Sequence, residues 1–481
     1  MQRMVTHWEW TRMSKAPMLT AHSVVRCCAA LTVMGLAGCS LIPSYERPLA
    51  PVPAYFVGSN AAAQTGTPQV VSADIGWQQF FKDARLQRLV ELALQNNRDL
   101  RVAVLNVEQT RALLQLKRAD ELPTVNAAVN GSRVPNASGT LTSTFTAGLS
   151  VTSYELDLFG RVRALSQAAQ AQLLATEEAR KTVHIALVAS VANAYLSMRA
   201  DEALLQIARD TVTSREASLQ LTQLKFNNQV ASQLDLSLAH SLLEGAKASL
   251  AQFTRQRAQD ENALVLLLGQ ALPADLPEGL PLTQQALLPD LPAGTPAELL
   301  LRRPDVRQAE QLLLANNANI GAARAAFFPR ISLTGSTGLV SGDMGALFNN
   351  GNAAWSFTPQ LLMPIFDAGR NQANLDAARA GRDIAVAQYE KAIQLGFREV
   401  SDALVARDTY NEQMRAQNAQ LAAEQTRLQL TDLRYTHGAS NALELLDAKR
   451  SLFASQQAAV LAQAQQVQSL VNLYKVLGGG W

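Results

Sequence analysis

The chain has 481 residues, of which 48% are hydrophobic, only 6% are aromatic and 17% are charged. The charged fraction lies below the roughly 25% of ordinary soluble domains, and the net charge of +2 lacks the basic excess that nucleic-acid binding requires. Five scattered histidines, with no phosphate loop, nucleophile elbow or HExxH helix, argue against an enzyme or a metal site.

The first 38 residues have the pattern of a secretory signal peptide, with an apolar segment behind an arginine. Its end, Leu-Ala-Gly-Cys at 36–39, resembles the lipobox of bacterial lipoproteins. That resemblance implies that Cys39 becomes the mature N-terminus, carries an S-diacylglycerol and an N-acyl chain, and is routed to the outer membrane. The alternative is an ordinary signal peptide with an incidental cysteine. A true start at Met13 or Met18 would shorten the unusually long leader.

After the leader, composition divides the chain into four parts. Residues 39–76 are rich in Pro, Ala, Gly, Ser and Thr, which predicts an extended, acylated tether. Residues 77–275 and 296–481 form two repeats, and a Pro/Gly-rich linker at 276–295 separates them. The first repeat begins with helical periodicity from about Asp83 to Ala119, which ends before Pro123.

The two repeats share short segments at a nearly constant spacing. Residues 221–226 (LTQLKF) return as 430–435 (LTDLRY), a shift of 209, and residues 122–125 (LPTV) match 328–331 (FPRI) at a shift of 206. Solenoid repeats are only about 20–50 residues long. We therefore expect a duplicated fold with two similar halves around a pseudo-two-fold axis.

Each repeat contains a stretch with period-two alternation. Odd positions of 141–151 are apolar apart from Ser143, and even positions are Thr, Gly or Ser. The pattern predicts β-hairpins at about 123–155 and 329–366. Strands of about 9–11 residues with this alternation can span an outer membrane. A soluble, half-buried hairpin would have the same pattern.

Long helices should follow each β-hairpin, because no proline occurs between Pro135 and Pro273 or after Pro364. Apolar residues recur there at spacings of three and four. We predict helical hairpins at about 160–269 and 369–477, with turns at 227–229 and 436–438. A soluble coiled-coil rod is the alternative interpretation.

Residues 301–310 (LRRPDVRQAE), 326–331 (AFFPRI), 434–452 and 471–481 (VNLYKVLGGGW) carry a specific resemblance. They resemble the OprM/NodT lipoprotein branch of the TolC-like outer-membrane efflux factors, over about residues 36–481. The resemblance implies an α+β membrane protein with a duplicated repeat. It also implies a homotrimer, whose 12-stranded outer-membrane β-barrel is continuous with a long periplasmic α-helical barrel.

The same resemblance implies a function. The protein would be the passive outer-membrane channel of a tripartite efflux system, exporting drugs or other small toxic compounds. Its partners would be a periplasmic adaptor and an inner-membrane pump of the resistance-nodulation-division class, and it would need no cofactor. An alternative from another class is a periplasmic coiled-coil adaptor or scaffold lipoprotein. Such an adaptor has one helical hairpin, a lipoyl-like domain and no duplication.

The resemblance also implies a periplasmic gate. Leu443 and Asp447 match an apolar and an acidic ring, and Arg434, Tyr435 and Arg450 match latch positions. Leu443 and Asp447 are separated by four residues and would share one helix face. Asp447 and Arg450 are separated by three and can pair. A solvated helix face with a routine ion pair is the alternative.

Adaptor contacts are expected at the two tip turns. The first turn contains Asn227, Asn228 and Gln229, and the second contains His437 and Gly438. Gln229 occupies the position where the family commonly has glycine. Because a side chain disfavours positive φ, we expect the first turn to differ in shape from the second.

Overall fold

The computed structural model describes residues 40–53, 55–56, 75–285, 302–349 and 352–480. Cys39, the leader 1–38 and residues 286–295 of the linker lie outside these residues. The chain divides into two compact units. A strand unit contains Lys117–Ser166, Ala318–Asp376 and the residues up to Pro43, and a helical unit contains Ser44–Leu116, Gln167–Asn317 and Ala377–Trp481.

Among its described residues, the strand unit contains one four-stranded antiparallel sheet. The strands are β1 (Val125–Pro135), β2 (Leu141–Leu156), β3 (Arg330–Ser341) and β4 (Ala353–Leu362), paired in that order. β1 and β2 form the hairpin of the first repeat, and β3 and β4 form that of the second. β2 pairs with β3 across the repeats, so β1 and β4 are the edge strands.

The sheet keeps large apolar side chains exposed. All ten residues of β4 are exposed, and so are all residues of β1 except one. Val129 is 70% exposed, Trp355 79% and Leu361 64%. A soluble, half-buried hairpin would cover one face, and within the described chain neither face of these two strands is covered.

Residues 83–119 form two helices rather than the single one that their periodicity predicts. A short α1 (Trp77–Phe80) precedes α2 (Ala84–Asn96) and α3 (Arg98–Ala119). Between the last two, Asn97 is extended. Its Oδ1 accepts the backbone N–H of Leu100 at 2.9 Å, and its Nδ2 donates to the carbonyl of Leu267 at 2.9 Å. Asn97 therefore caps α3 and breaks the helix for a tertiary contact.

Two helical hairpins make up most of the described helix. They are α4 (Arg161–Asn227) with α5 (Gln233–Leu268), and, after α6 (Pro304–Ala325), α7 (Arg370–Thr436) with α8 (Ala442–Val476). α4 and α7 each have 67 residues, which is roughly 100 Å at 1.5 Å per residue. None of the described helices combines the length and apolar character needed to cross a membrane.

The main core lies in the helical unit and joins distant parts of the chain. The ring of Phe80 stacks on Tyr474 at 4.1 Å between centroids, and the Tyr474 hydroxyl donates to the carbonyl of Ile75. Asp83 caps α2 with one carboxylate oxygen and accepts the hydroxyl of Tyr195 at 2.8 Å with the other. Both tyrosines thus satisfy their hydroxyl groups inside an apolar core.

The motif at 301–310 has a structural role. Arg303 is 7% exposed, and its guanidinium donates to Glu399 on α7 at 2.7 Å and to the carbonyl of Val476 on α8 at 2.9 Å. Arg307 pairs with the buried Glu178 of α4 at 3.0 Å. The two arginines therefore join α6 to α4, α7 and α8.

The described part of the predicted tether has no helix or strand and is docked. Within the helical unit, the Tyr45 hydroxyl and the Arg47 Nε both donate to Oε1 of Glu310, at 2.9 and 2.7 Å. Phe56 stacks on Phe397 with 5.2 Å between ring centroids. These contacts hold the segment against α6 and α7.

Candidate functional site

The turns that close the two helical hairpins have the same hydrogen bonds. In the first turn the N–H of Gln229 donates to the carbonyl of Phe226 at 2.9 Å, and that of Val230 donates to Lys225 at 2.8 Å. At the positions shifted by 209, Gly438 donates to Tyr435 at 3.1 Å and Ala439 donates to Arg434 at 2.8 Å. Both are Schellman motifs, which satisfy the last carbonyls of a helix.

The expectation that Gln229 gives the first turn a different shape was wrong. Gln229 has φ +59° and Gly438 has φ +74°, so both lie in the left-handed region. The flanking positions also correspond, because Asn228 Nδ2 bonds the carbonyl four residues before it at 2.8 Å, as His437 Nδ1 does at 2.9 Å. The helix-ending hydrogen bonds therefore hold Gln229 at a φ that costs about 1–2 kcal/mol for a residue with a side chain.

The remaining first-tip residue, Asn227, ends α4, and its Oδ1 accepts a hydrogen bond from Gln223 at 2.9 Å. Asn227, Asn228, Gln229, His437 and Gly438 are all exposed. Both turns therefore present polar side chains to solvent.

Asp447 binds two arginines on the second hairpin. Its carboxylate accepts from Arg450 at 2.6 Å, on the same helix, and from Arg427 of α7 at 2.5 Å. The hydrogen bond from Arg427 is the largest cause that holds the pKa of Asp447 below its ordinary value, and the charges of both arginines act in the same direction. Asp447 therefore ties α8 to α7. The sequence did not indicate Arg427, because it lies on another helix and outside the motifs that carry the resemblance.

Leu443 lies one turn before Asp447, near the start of α8. It is 57% exposed, whereas Leu445 and Ala448 are buried. Asn441 caps the helix by accepting the N–H of Glu444 at 2.9 Å. α8 thus buries the face that carries Leu445 and Ala448, and it leaves Leu443 exposed to solvent.

Tyr435 contacts the first repeat. The Nζ of Lys225 on α4 donates to the Tyr435 hydroxyl at 2.9 Å and lies 4.7 Å from the centroid of the ring. Arg434 bonds the carbonyl of Ala439 within its own turn at 3.2 Å. The structure therefore places Tyr435 in a contact between the two hairpins and Arg434 in a local one. Lys225 is a second contact residue that the sequence did not indicate.

The described residues contain no cluster of three or more His, Cys, Asp or Glu side chains that could hold a metal ion. The contacts of residues 425–450 instead include the ion pairs of Asp447 and the cation–aromatic contact of Tyr435 with Lys225. Exposed ion pairs contribute little to stability.

The chain is similar to known outer-membrane proteins over most of its length. The profile of the family described as "Outer membrane efflux protein" matches residues 89–270 and 295–479. The antibiotic efflux pump outer membrane protein ArpC of Pseudomonas putida and the toluene efflux pump outer membrane protein TtgC of the same species are each 49% identical, over 94% of this chain and 95% of theirs.

A solved structure has the same fold. The open-state structure of the MtrE outer membrane channel of Neisseria gonorrhoeae matches with a TM-score of 0.85 at 42% identity, over 92% of this chain and 98% of that one. The family profile matches once in each repeat, as a duplicated fold requires. The expected family is thereby confirmed: the chain belongs to the outer membrane efflux protein family, whose members are outer-membrane channels and not enzymes.

Proposed function

We propose that three copies of this outer-membrane efflux protein form a 12-stranded barrel in the outer membrane, continuous with a periplasmic α-helical barrel. The observation that carries the proposal is the open sheet. β1 and β4 each have one strand partner within the described chain, and β4 of one copy can pair with β1 of the next. Three four-stranded sheets joined in this way leave no free edge, which membrane-spanning strands require.

Lipid contact is supported by the exposed side chains of the sheet. Val125 and Phe357 share one row across the registers of the four strands, and each is 61% exposed. Their neighbours on the edge strands, Val129, Trp355 and Leu361, are exposed as well. Large exposed apolar patches mark interaction surfaces, and here the outer-membrane location of the family makes lipid the partner.

The channel works passively within a tripartite efflux system, together with a periplasmic adaptor and an inner-membrane pump of the resistance-nodulation-division class. The exported compounds are antibiotics and small aromatic solvents, by analogy with the names of ArpC and TtgC. The exposed tip turns, at 227–229 and 437–438, form the adaptor contact. The coiled-coil adaptor alternative is disfavoured, because the chain has two helical hairpins and a four-stranded sheet.

The gate lies at Leu443 and Asp447, with Arg434, Tyr435 and Arg450 as latch residues. The proposal rests on the exposure of Leu443 and on the bonds of Asp447 to Arg427 and Arg450. Asp447→Ala removes the bond to Arg427, which joins α8 to α7, and the bond to Arg450 within α8. We expect this variant to raise single-channel conductance in planar bilayers.

A matched control for the gate is Glu244→Ala. Glu244 and Lys247 form an exposed pair with the same spacing on α5, at 3.0 Å. Its removal should leave conductance unchanged, because it joins no second helix. Unchanged conductance in Asp447→Ala, or an equal rise in both variants, would contradict the gate.

Cys39 carries the S-diacylglycerol and N-acyl chains that anchor the tether. The lipobox-like sequence supports this part of the proposal. Palmitate labelling of cells should mark the wild-type protein and leave Cys39→Ala unlabelled. Label retained in the variant refutes the acylation site, and N-terminal mapping of the precursor decides between the three possible starts.

A further inference from the structure

A cavity of about 230 Å³ lies among the long helices of the helical unit. Its lining comes from α4, α7 and α8 and includes Ser214, Arg215, Leu428, Lys449, Phe453 and Gln456. Two of these side chains are cations that come from different repeats, Arg215 from the first and Lys449 from the second. None of the proposed gate residues lines the cavity, although Lys449 directly precedes Arg450 on α8.

Arg215 is a buried cation. The residue is 6% exposed, its Nη1 donates to the carbonyl of Leu242 on α5 at 2.6 Å, and its guanidinium carbon lies 5.0 Å from the ring centroid of Phe453. Its Nε is buried without a hydrogen-bond partner. One carbonyl and one aromatic ring therefore offset only part of the cost of removing this charge from water.

Lys449 adds a second charge to the same cavity. Its Nζ donates to Ser218 Oγ at 2.7 Å. Burial lowers the pKa of both cations, and the charge of Arg215 also lowers the pKa of Lys449, against an opposing effect of Asp432. Among the described residues neither cation forms an ion pair with a carboxylate. Asp210 also lines the cavity, and its Oδ1 accepts a hydrogen bond from Gln206 at 2.9 Å.

The duplication shows that this pair is not a general feature of the fold. At the shift of 209 residues, Glu424 corresponds to Arg215 and His240 corresponds to Lys449. Glu424 pairs with Arg427 at 3.1 Å, so that position carries a neutralised charge. At the described helix junctions, two cations without an ion pair therefore occur together at one of the two equivalent positions.

We propose that the cavity binds a free inorganic oxyanion of the size of sulfate or phosphate, between Arg215 and Lys449. The volume has room for such an ion with water, since a water molecule occupies about 30 Å³ in the liquid. Guanidinium and ammonium groups are the usual ligands of tetrahedral oxyanions. The bound anion compensates both charges and links α4 of the first hairpin to α8 of the second. This site requires neither the trimer nor the channel function.

The test is isothermal titration calorimetry on the detergent-solubilised full-length protein. Sodium sulfate and sodium phosphate are titrated separately, with sodium chloride holding the ionic strength constant. We expect one anion per chain and a raised melting temperature in the wild type. Arg215→Met and Lys449→Met should each weaken binding at least tenfold. Lys449 lies partly exposed, so its variant keeps the test valid if Arg215→Met does not fold.

The control is Arg255→Met, which removes an exposed arginine of α5 and should leave the anion affinity unchanged. The proposal is overturned if the wild type shows no saturable binding. It is also overturned if Lys449→Met and Arg255→Met bind the anions as the wild type does. The first result would mean that another group, such as a carboxylate of a neighbouring copy, fills the cavity.

Discussion

Asp201 and Asp260 form a pair of like charges inside the first helical hairpin. This pair allows us to predict how the stability of the protein depends on pH. Asp201 on α4 is 5% exposed, and its Oδ2 is buried without a hydrogen-bond partner. Burial, and then the charge of Asp260 on α5 and hydrogen bonding to it, raise the pKa of Asp201 from 3.8 to about 7. Between these two pH values, Asp201 therefore keeps a proton in the folded protein that it has lost in the unfolded chain.

The direction of the pH dependence follows from this difference. Because the folded-state pKa is the higher one, the folded protein binds more protons between about pH 4 and pH 7, and stability falls as the pH rises through that range. A difference between 3.8 and about 7 corresponds to about 4 kcal/mol. We expect about half of that, about 2 kcal/mol, because the raised pKa of a strongly coupled pair belongs to both carboxyl groups and not to Asp201 alone.

Asp201→Asn keeps the shape of the side chain and removes the charge. At pH 8 the variant should be more stable than the wild type by about 2 kcal/mol, or about 2 °C in apparent melting temperature, because the unfolding entropy of a chain of this length is about 1 kcal/mol per K. At pH 5 the difference should shrink to less than about 1 kcal/mol, because only the first part of the loss of stability between about pH 4 and pH 7 has then occurred. Circular dichroism of the detergent-solubilised protein at both pH values measures the effect.

Glu412→Gln, at an exposed position of α7, is the control and should shift neither melting temperature. The reasoning is refuted if Asp201→Asn changes stability equally at pH 5 and pH 8. It is also refuted if the variant is less stable than the wild type at pH 8, because the charge would then be favourable in the folded protein.

Two sets of glycine substitutions give further predictions. Gln229→Gly should raise the free energy of unfolding by about 1 kcal/mol, and Gly438→Ala should lower it by a similar amount, because both turns require positive φ. If thermal melting does not show one variant stabilised and the other destabilised, this reasoning is wrong. At Gly321 a Cβ would overlap Cγ1 of Ile42 and lie 3.0 Å from its backbone, so Gly321→Ala should release the tether and speed its cleavage in limited proteolysis. Gly245→Ala on α5, where a Cβ meets nothing within 4 Å, should leave that cleavage rate unchanged.

Periodicity along the sequence is a local property, and it indicated the elements well. Period-two alternation at 141–151 lies within β2, and the proline-free stretches contain α4, α5, α7 and α8. The helix around 83–119 shows the limit of this reasoning. Asn97 interrupts a continuous helical pattern because its side chain bonds Leu267, which is 170 residues away.

By itself, the sequence determined the family, the duplication and the residues that form the turn of each helical hairpin. The tertiary structure decided which side chains meet: Asp447 with Arg427, Lys225 with Tyr435, and Arg215 in the same cavity as Lys449. It also held Gln229 in a left-handed conformation. The physical reason is that contacts between long helices depend on how one hairpin is registered against another. A small shift in that register changes the partner of every side chain, and no local sequence pattern specifies the register.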